Sequence, residues 1–125
     1  PVVVTFEVDA TAQVDRLGPP DTVVTLSGEG AALGAWAGNA IALSDDGQGA
    51  DRVAGDGIWT VDVVLPERGE VVYKYLIGTP GDGSWDGVEF EGDNRYQWTK
   101  DADETGRVWF RDVWGQRDGT VLLDP

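Results

Sequence analysis

The residues best suited to a chemical or binding role in this sequence are its six tryptophans, because the sequence contains neither cysteine nor histidine. Without those two residue types there is no thiol nucleophile, no thiolate or imidazole zinc site and no histidine general base. Carboxylate catalysis needs two acidic groups roughly 5 to 10 Å apart around the scissile bond. Among 23 acidic residues some pair will lie at that distance. The presence of such a pair therefore does not indicate an enzyme. The composition favours binding over catalysis.

Sequence context separates the tryptophans. Trp59 and Trp109 lie in apolar, strand-like runs and are predicted to belong to the core. Trp36 and Trp85 lie in connections rich in glycine and aspartate, where exposed aromatic residues indicate a binding site. The face of an indole ring stacks well on the C–H edges of a sugar ring, while polar neighbours take up the hydroxyls. Trp36 and Trp85 are therefore candidates for a sugar-binding surface.

Three polar residues could supply the hydrogen bonds of such a surface: Lys74, Asp86 and Asn94. For Lys74 the pattern alone leaves a second interpretation equally open, an ordinary exposed lysine of a strand. The sequence thus predicts a sugar-binding surface and leaves the role of Lys74 in it open.

An aspartate-rich segment before Trp59 is a further candidate site. It carries Asp45, Asp46, Asp51 and Asp56 between glycines, and hard oxygen ligands at this density could hold calcium. The spacing does not fit the EF-hand pattern, which requires a glutamate at its twelfth position. Solvated turn residues are the favoured interpretation, and calcium is the alternative. No other cofactor is expected.

The charge balance excludes several partners. Nine basic and 23 acidic residues give a formal charge of −14, which argues against nucleic acid and against anionic membranes. The sequence contains no apolar run of membrane-spanning length and no signal-peptide pattern. At 125 residues the chain is expected to be a single, monomeric domain over residues 1–125. Its ends, Pro1 and Asp124-Pro125, suggest a piece of a longer protein.

The elements that must position these residues are short strands separated by turn residues. Apolar and polar residues alternate in several runs, and none shows helical spacing over three turns. Eight or so such strands favour an all-β, antiparallel sandwich. The predicted strands are Val2–Val8, Thr22–Leu26, Ile41–Leu43, Ile58–Leu65, Val71–Ile77, Ser84–Phe90, Arg95–Thr99, Arg107–Val113 and Val121–Leu123.

Alternation also assigns faces within the strands. Tyr73 and Tyr75 share one side of their strand with Val71 and Ile77, so Lys74 points to the opposite side. Val72 and Leu76 share that opposite side with Lys74.

The order of several motifs resembles the starch-binding domain of carbohydrate-binding module family 20. The motifs are Leu33-Gly34-Ala35-Trp36, Ile58-Trp59-Thr60-Val61, Leu65-Pro66, Val72-Tyr73-Lys74-Tyr75, Trp85-Asp86 and Asp93-Asn94-Arg95. Each is weak alone, but together they cover most of the chain in one consistent order.

This resemblance implies an immunoglobulin-like β-sandwich that binds α-1,4-glucan without cleaving it. Trp36 and Trp85 would be the stacking residues, Lys74 would donate to sugar hydroxyls, and Asp86 and Asn94 would complete the polar part. It further implies a module tethered to a starch-active enzyme, at an extracellular or cell-surface location.

One departure from the family concerns residues 87–92, which make the link between Trp85 and Asn94 longer than usual. This insertion leaves the position of Asn94 relative to the sugar open, and it makes Phe90 a candidate to extend the stacking surface.

Two alternatives keep the fold but change the function. The domain could be a spacer or protein-interaction domain of an extracellular protein, with its tryptophans in packing or at an interface. It could also bind another glycan, because the angle between Trp36 and Trp85 decides between a curved α-glucan and a flat β-glucan.

Overall fold

The computed structural model describes residues 2–17, 22–45, 55–65, 69–99 and 107–123, with side chains as far as residue 116. Eight strands form two four-stranded sheets, ordered β4-β1-β7-β8 and β3-β2-β5-β6. The strands are β1 (Val2–Asp9), β2 (Val23–Gly28), β3 (Ile41–Ala42), β4 (Ile58–Leu65), β5 (Glu70–Gly78), β6 (Arg95–Trp98), β7 (Arg107–Val113) and β8 (Gln116–Leu123). The predicted all-β sandwich is confirmed.

The structure differs from the predicted elements in several places. The predicted strand Ser84–Phe90 is wrong: this segment contributes only an isolated bridge between Leu76 and Val88. β8 begins at Gln116, earlier than predicted. Two 3-10 helices, Thr11–Arg16 and Ala31–Leu33, were not predicted. Within the described residues, no helix is long and apolar enough to cross a membrane.

β1 lies inside the first sheet and pairs with two strands of different direction. It is antiparallel to β4 and parallel to β7. All other strand pairings are antiparallel among the described elements. The first sheet therefore contains one parallel pair, β1 with β7, among antiparallel ones. Sequence alternation could not reveal this, because apolar residues alternate in the same way in parallel and antiparallel strands.

The core between the sheets contains the side of β5 that carries Tyr73 and Tyr75. Phe6, Tyr73, Tyr75 and Phe110 are fully buried, and the ring of Phe6 meets those of Tyr73 and Phe110 edge-on at 5.0 and 5.4 Å. Trp59 is half-buried and packs against this core, as predicted. Such edge-to-face contacts add to the free energy gained from burial.

Trp109 occupies a different place from the one predicted. It is buried, but Val108 and Phe110 on either side of it face the core cluster. Trp109 therefore lies on the outer side of the first sheet, where the guanidinium of Arg111 sits 5.2 Å from its ring centre.

A buried polar cluster, centred on Arg95, joins the two sheets. Its guanidinium donates to both carboxylate oxygens of Glu89, at 2.8 and 2.6 Å, and pairs with Asp112 Oδ1 at 3.3 Å. All three side chains are at most 1% exposed. Because an unpaired buried charge is very costly, this pairing stabilises the charge of Arg95.

Two tyrosine hydroxyls complete the Arg95 cluster. Tyr73 and Tyr75 each donate to Asp112 Oδ2, at 2.8 and 2.7 Å. Burial raises the pKa of Asp112, although Arg95 and both hydroxyls oppose that rise. Burial, together with the neighbouring charge of Asp112, raises the pKa of both tyrosines well above 10.0.

The outer face of β2 and β5 is also buried. The side chains on that face, Thr25, Ser27, Val72, Lys74 and Leu76, are all at most 9% exposed. Asn39 accepts from Thr25 on this face, Val88 bridges to Leu76, and the carbonyl of Phe90 accepts from Lys74. Segments near Trp36 and Trp85 therefore pack against this face.

The tyrosine hydroxyls predict a characteristic loss of stability at high pH. Because the folded pKa of Tyr73 and Tyr75 lies above 10.0, their contribution is fully present below pH 10 and is lost as the pH rises further. The loss is up to about 1.4 kcal/mol per pH unit for each tyrosine. We expect the double variant Tyr73→Phe/Tyr75→Phe to be less stable at pH 7 and to show a shallower decline above pH 10 in urea denaturation. Tyr96→Phe is the matched control, and parallel declines in wild type and double variant would contradict this assignment.

Candidate functional site

Trp36 and Trp85 lie side by side although they are 49 positions apart in the sequence. Their ring centres are 6.1 Å apart and their planes are inclined by 40°. Both side chains are half-buried, so each keeps part of its surface accessible. The structure thus brings together the two tryptophans that the sequence singled out, as a tilted aromatic pair.

The backbone before Trp36 adopts an unusual conformation. Gly34, Ala35 and Trp36 have φ values of 83°, 49° and 66°, a region that costs free energy for residues with a Cβ. The amide of Trp36 donates to the carbonyl of Gly28 at 2.9 Å, which ties this turn to the end of β2. The indole that follows this tight turn contacts the ring of Trp85.

Asn39 links the two tryptophan loops. Its Oδ1 accepts from Thr25 Oγ1 at 2.7 Å. Its Nδ2 donates to Asp82 Oδ1 at 2.8 Å and to the carbonyl of Ser84 at 3.1 Å, and its carbonyl accepts from the amide of Gly81 at 2.7 Å. With its side chain 1% exposed, Asn39 holds the residues just before Trp85 against β2.

Sequence reasoning assigned no role to Asn39. Its φ of 51° is a conformation that asparagine tolerates better than most residues, so an asparagine between a glycine-rich turn and a strand was the available signal. The hydrogen bonds of Asn39 and of the Ser84 amide hold the pKa of Asp82 below its usual value. That effect stabilises the acceptor form of the carboxylate.

The segment after Trp85 is held by β5. The carbonyl of Gly87 accepts from the amide of Ile77 at 2.9 Å, and the amide of Glu89 donates to the carbonyl of Tyr75 at 3.1 Å. A Cβ at Gly87 would lie only 1.9 Å from the carbonyl oxygen of Ile77, so this close approach requires glycine. The Trp85 loop is therefore fixed on both sides.

Glu89 is the member of residues 87–92 that explains why this longer link is ordered. Besides pairing with Arg95, its carboxylate accepts from the amides of Tyr75 and Gly115, both at 2.9 Å. Sequence reasoning missed this role because nothing local distinguishes Glu89 from the solvated acids around it.

Lys74 lies on the outer face of β5, as alternation predicts, but it is only 9% exposed. Its Nζ donates to the carbonyl of Phe90 at 3.1 Å and lies 5.8 Å from the centre of that ring. A lysine ammonium has three N–H groups, so capacity remains for a ligand. The interpretation of Lys74 as an ordinary exposed lysine is wrong, since it is held beneath the loops.

Phe90 is half-buried and contacts two cations. Besides Lys74, the guanidinium of Arg95 lies 5.5 Å from its ring centre. Phe90 therefore connects the candidate site to the Arg95 cluster. Its predicted part in the stacking surface stays a prediction.

Asp86 and Asn94 make fewer described contacts than Lys74 and Phe90 do. Asp86 is exposed, and its amide donates to Ser84 Oγ at 3.2 Å. Asn94 is half-buried and immediately precedes β6. In the part of the chain that the structure describes, no hydrogen bond or ring contact joins either side chain to the tryptophan pair, so their roles remain predictions.

The aspartate-rich segment is only partly described, because Asp46 and Asp51 lie outside the described residues. The Asp45 carboxylate accepts from the amides of Gly55 and Gly57, at 3.1 and 2.9 Å, and Asp56 accepts from the amide of Ile58 at 2.9 Å. Within residues 22–45 and 55–65, no three acidic side chains are grouped as metal ligands. The described contacts are those of turn residues.

A β-sandwich that carries paired tryptophans on its loops is typical of carbohydrate-binding modules. The profile of the starch binding domain matches residues 1–109 of this chain. The chain belongs to that family, carbohydrate-binding module family 20, and is therefore a non-catalytic module of the starch-binding type.

Solved structures agree with this fold. The glycoside hydrolase family 15 glucoamylase of Hypocrea jecorina is 26% identical, with a TM-score of 0.64 over 92% of this chain and 17% of that one. The family 20 module of the maltotetraose-forming amylase of Pseudomonas saccharophila is 21% identical, with a TM-score of 0.57 over 90% and 99%. The γ-CGTase of Bacillus clarkii is 22% identical, with a TM-score of 0.62 over 92% and 15%. A search of curated proteins finds no match. The chain spans about a sixth of the glucoamylase.

The links made by Asn39 predict a large effect of its removal. Asn39→Ala deletes three side-chain hydrogen bonds and leaves buried groups without partners, so we expect a loss of about 2 to 4 kcal/mol of unfolding free energy in urea denaturation. Asn39→Gly removes the same bonds without backbone strain at positive φ, and should lose about 1 kcal/mol less. Unchanged stability in both variants would contradict the role of Asn39.

The turn contacts of Asp45 predict how the aspartate-rich segment responds to substitution and to calcium. Asp45→Ala should lower the unfolding free energy by about 1 to 2 kcal/mol, because two backbone amides lose their acceptor. Addition of calcium should leave the melting temperature of the wild-type protein unchanged. A rise with calcium that Asp45→Ala abolishes would instead show that the segment binds the ion.

Proposed function

We propose that this domain binds α-1,4-glucan by stacking consecutive glucose rings on Trp36 and Trp85, and that it targets an attached enzyme to the polysaccharide. The observation that carries the proposal is the tilted pair, with ring centres 6.1 Å apart and planes inclined by 40°. Starch binding is the property of the family to which the chain belongs. What we propose beyond this is that Trp36 and Trp85 are the stacking residues and that the domain targets an attached enzyme.

The inclination of the two rings favours a curved ligand. Successive glucose rings of an α-1,4-linked chain turn relative to each other, so two inclined indole faces can each contact one ring. A flat β-glucan would be better served by nearly coplanar faces. The angle between Trp36 and Trp85 therefore supports an α-glucan over the alternative glycans.

Polar contacts would come from the layer beneath the tryptophans. Lys74, held against Phe90 by a single hydrogen bond in the described contacts, can direct its remaining N–H groups towards sugar hydroxyls. Because Lys74 is only 9% exposed, each such bond gains strength from a local dielectric below that of bulk water. Asp86 and Asn94 are the proposed additional partners.

The net charge of −14 is compatible with this ligand. A neutral polysaccharide is neither attracted nor repelled by an acidic surface, so the charge serves solubility more than affinity. Binding should accordingly depend little on ionic strength.

The proposed targeting role is supported by the setting of the relatives. In the glucoamylase and the γ-CGTase, the matching part is 17% and 15% of an enzyme chain. A module joined to an enzyme raises the effective concentration of polysaccharide near that enzyme. We infer the same arrangement for the protein to which this domain belongs.

The stacking proposal predicts that Trp36→Ala and Trp85→Ala each weaken binding to maltoheptaose at least about thirtyfold, equivalent to about 2 kcal/mol. Tryptophan fluorescence titration measures the affinity, and thermal denaturation verifies that each variant remains folded. Val64→Ala is the control, because Val64 is 60% exposed on the other sheet.

A domain that serves only as a spacer or protein-interaction domain would show no fluorescence change with maltoheptaose in the wild type. That result, or unchanged affinity in both folded tryptophan variants, would contradict the proposal.

A further inference from the structure

Two large aromatic side chains outside the tryptophan pair are exposed on a single strand. Tyr96 is 54% and Trp98 is 53% exposed, and both belong to β6, which forms an edge of the second sheet. Because they are two residues apart in a strand, their side chains lie on the same side, about 6.6 Å apart along it. Tyr96 and Trp98 belong neither to the core cluster nor to the Trp36–Trp85 pair.

This aromatic pair shares a sheet face with the candidate site. Tyr96 lies opposite Val72 in the pairing of β5 with β6, and Val72 and Lys74 alternate onto the same side of β5. The same alternation, continued one residue before β6, assigns Asn94 to this side. A row of Asn94, Tyr96 and Trp98 therefore runs away from Lys74 along the edge of the sheet.

The row also includes groups that can bond to sugar hydroxyls. Glu70 lies directly opposite Trp98 and is exposed, so its carboxylate can accept from hydroxyls beside the indole. The phenol of Tyr96 can both donate and accept. Trp98 lies four residues beyond Lys74 in register, or about 13 Å along the sheet.

We propose that Tyr96 and Trp98 bind further glucose units of the same α-glucan chain that stacks on Trp36 and Trp85. This inference rests on the proposed function and extends it from a site for a short oligosaccharide to an elongated one. The occupant is a neutral sugar chain because the surface combines flat aromatic faces with hydroxyl acceptors, and because it continues from the candidate site through Lys74 and Asn94.

An elongated site has a measurable consequence for ligand length. A short oligosaccharide fills the tryptophan pair alone, whereas a long chain also reaches β6 and gains the second contact at a high effective concentration. The preference for long over short chains, expressed as a ratio of affinities, should therefore depend on Tyr96 and Trp98.

The experiment compares the wild-type chain with Tyr96→Ala/Trp98→Ala by calorimetric titration with maltose and with soluble amylose. We expect the double variant to keep its maltose affinity within about twofold and to lose about five- to tenfold in amylose affinity. Val64→Ala, which alters an exposed residue of the other sheet, should leave both affinities unchanged. Melting temperatures verify folding, and Trp98→Phe, which retains an aromatic face, should recover part of the amylose affinity.

The outcomes separate this inference from the proposed function. If Trp36→Ala abolishes binding of both sugars while the β6 double variant binds both normally, the tryptophan site stands and the elongated site is refuted. An equal loss for both sugars in the folded double variant also refutes it, because the residues would then not act through chain length. Absence of wild-type binding to either sugar would refute the proposed function itself.

Discussion

The rest of this structure depends on one interaction, the pairing of the buried Arg95 guanidinium with the carboxylates of Glu89 and Asp112. A guanidinium inside a sandwich is tolerable only with its counter-charges in place, and these come from Glu89 at 2.6 Å and Asp112 at 3.3 Å. Asp112 belongs to the opposite sheet, and Glu89 to the segment that follows Trp85. Satisfying one charge therefore fixes both the packing of the sheets and the course of a loop that carries a binding candidate.

This arrangement holds the loops of Trp36 and Trp85 in place before a ligand binds. Trp85 is flanked on one side by the hydrogen bonds of Asn39 and on the other by the Arg95 cluster through Glu89, while the turn before Trp36 is tied to β2. Side chains held in place before binding lose less conformational entropy when a ligand arrives. A rigid aromatic pair can thus achieve useful affinity for a sugar with few direct hydrogen bonds.

Alternation predicted the sheets well because it is a local property. The shared side of Tyr73 and Tyr75 and the opposite orientation of Lys74 both follow from period two. Sequence context and the family motifs both pointed to Trp36 and Trp85, which make contact although they are 49 positions apart. Glu89 could not be found, because its importance comes from partners that are distant in sequence. Asn39 offered one local signal, an asparagine between a glycine-rich turn and a strand, but its partners are equally distant. The wrongly predicted strand after Ser84 has the same cause: long-range bonds, not local β propensity, decide its backbone.

The central claim is that sugar is bound by two loops joined through Asn39, and the six indole N–H signals in a two-dimensional ¹⁵N–¹H NMR spectrum test it most directly. Titration with β-cyclodextrin should shift the signals of Trp36 and Trp85 together, with one common affinity, and leave that of Trp109 unmoved. A saturating shift at Trp59 without any at the tryptophan pair would contradict the claim.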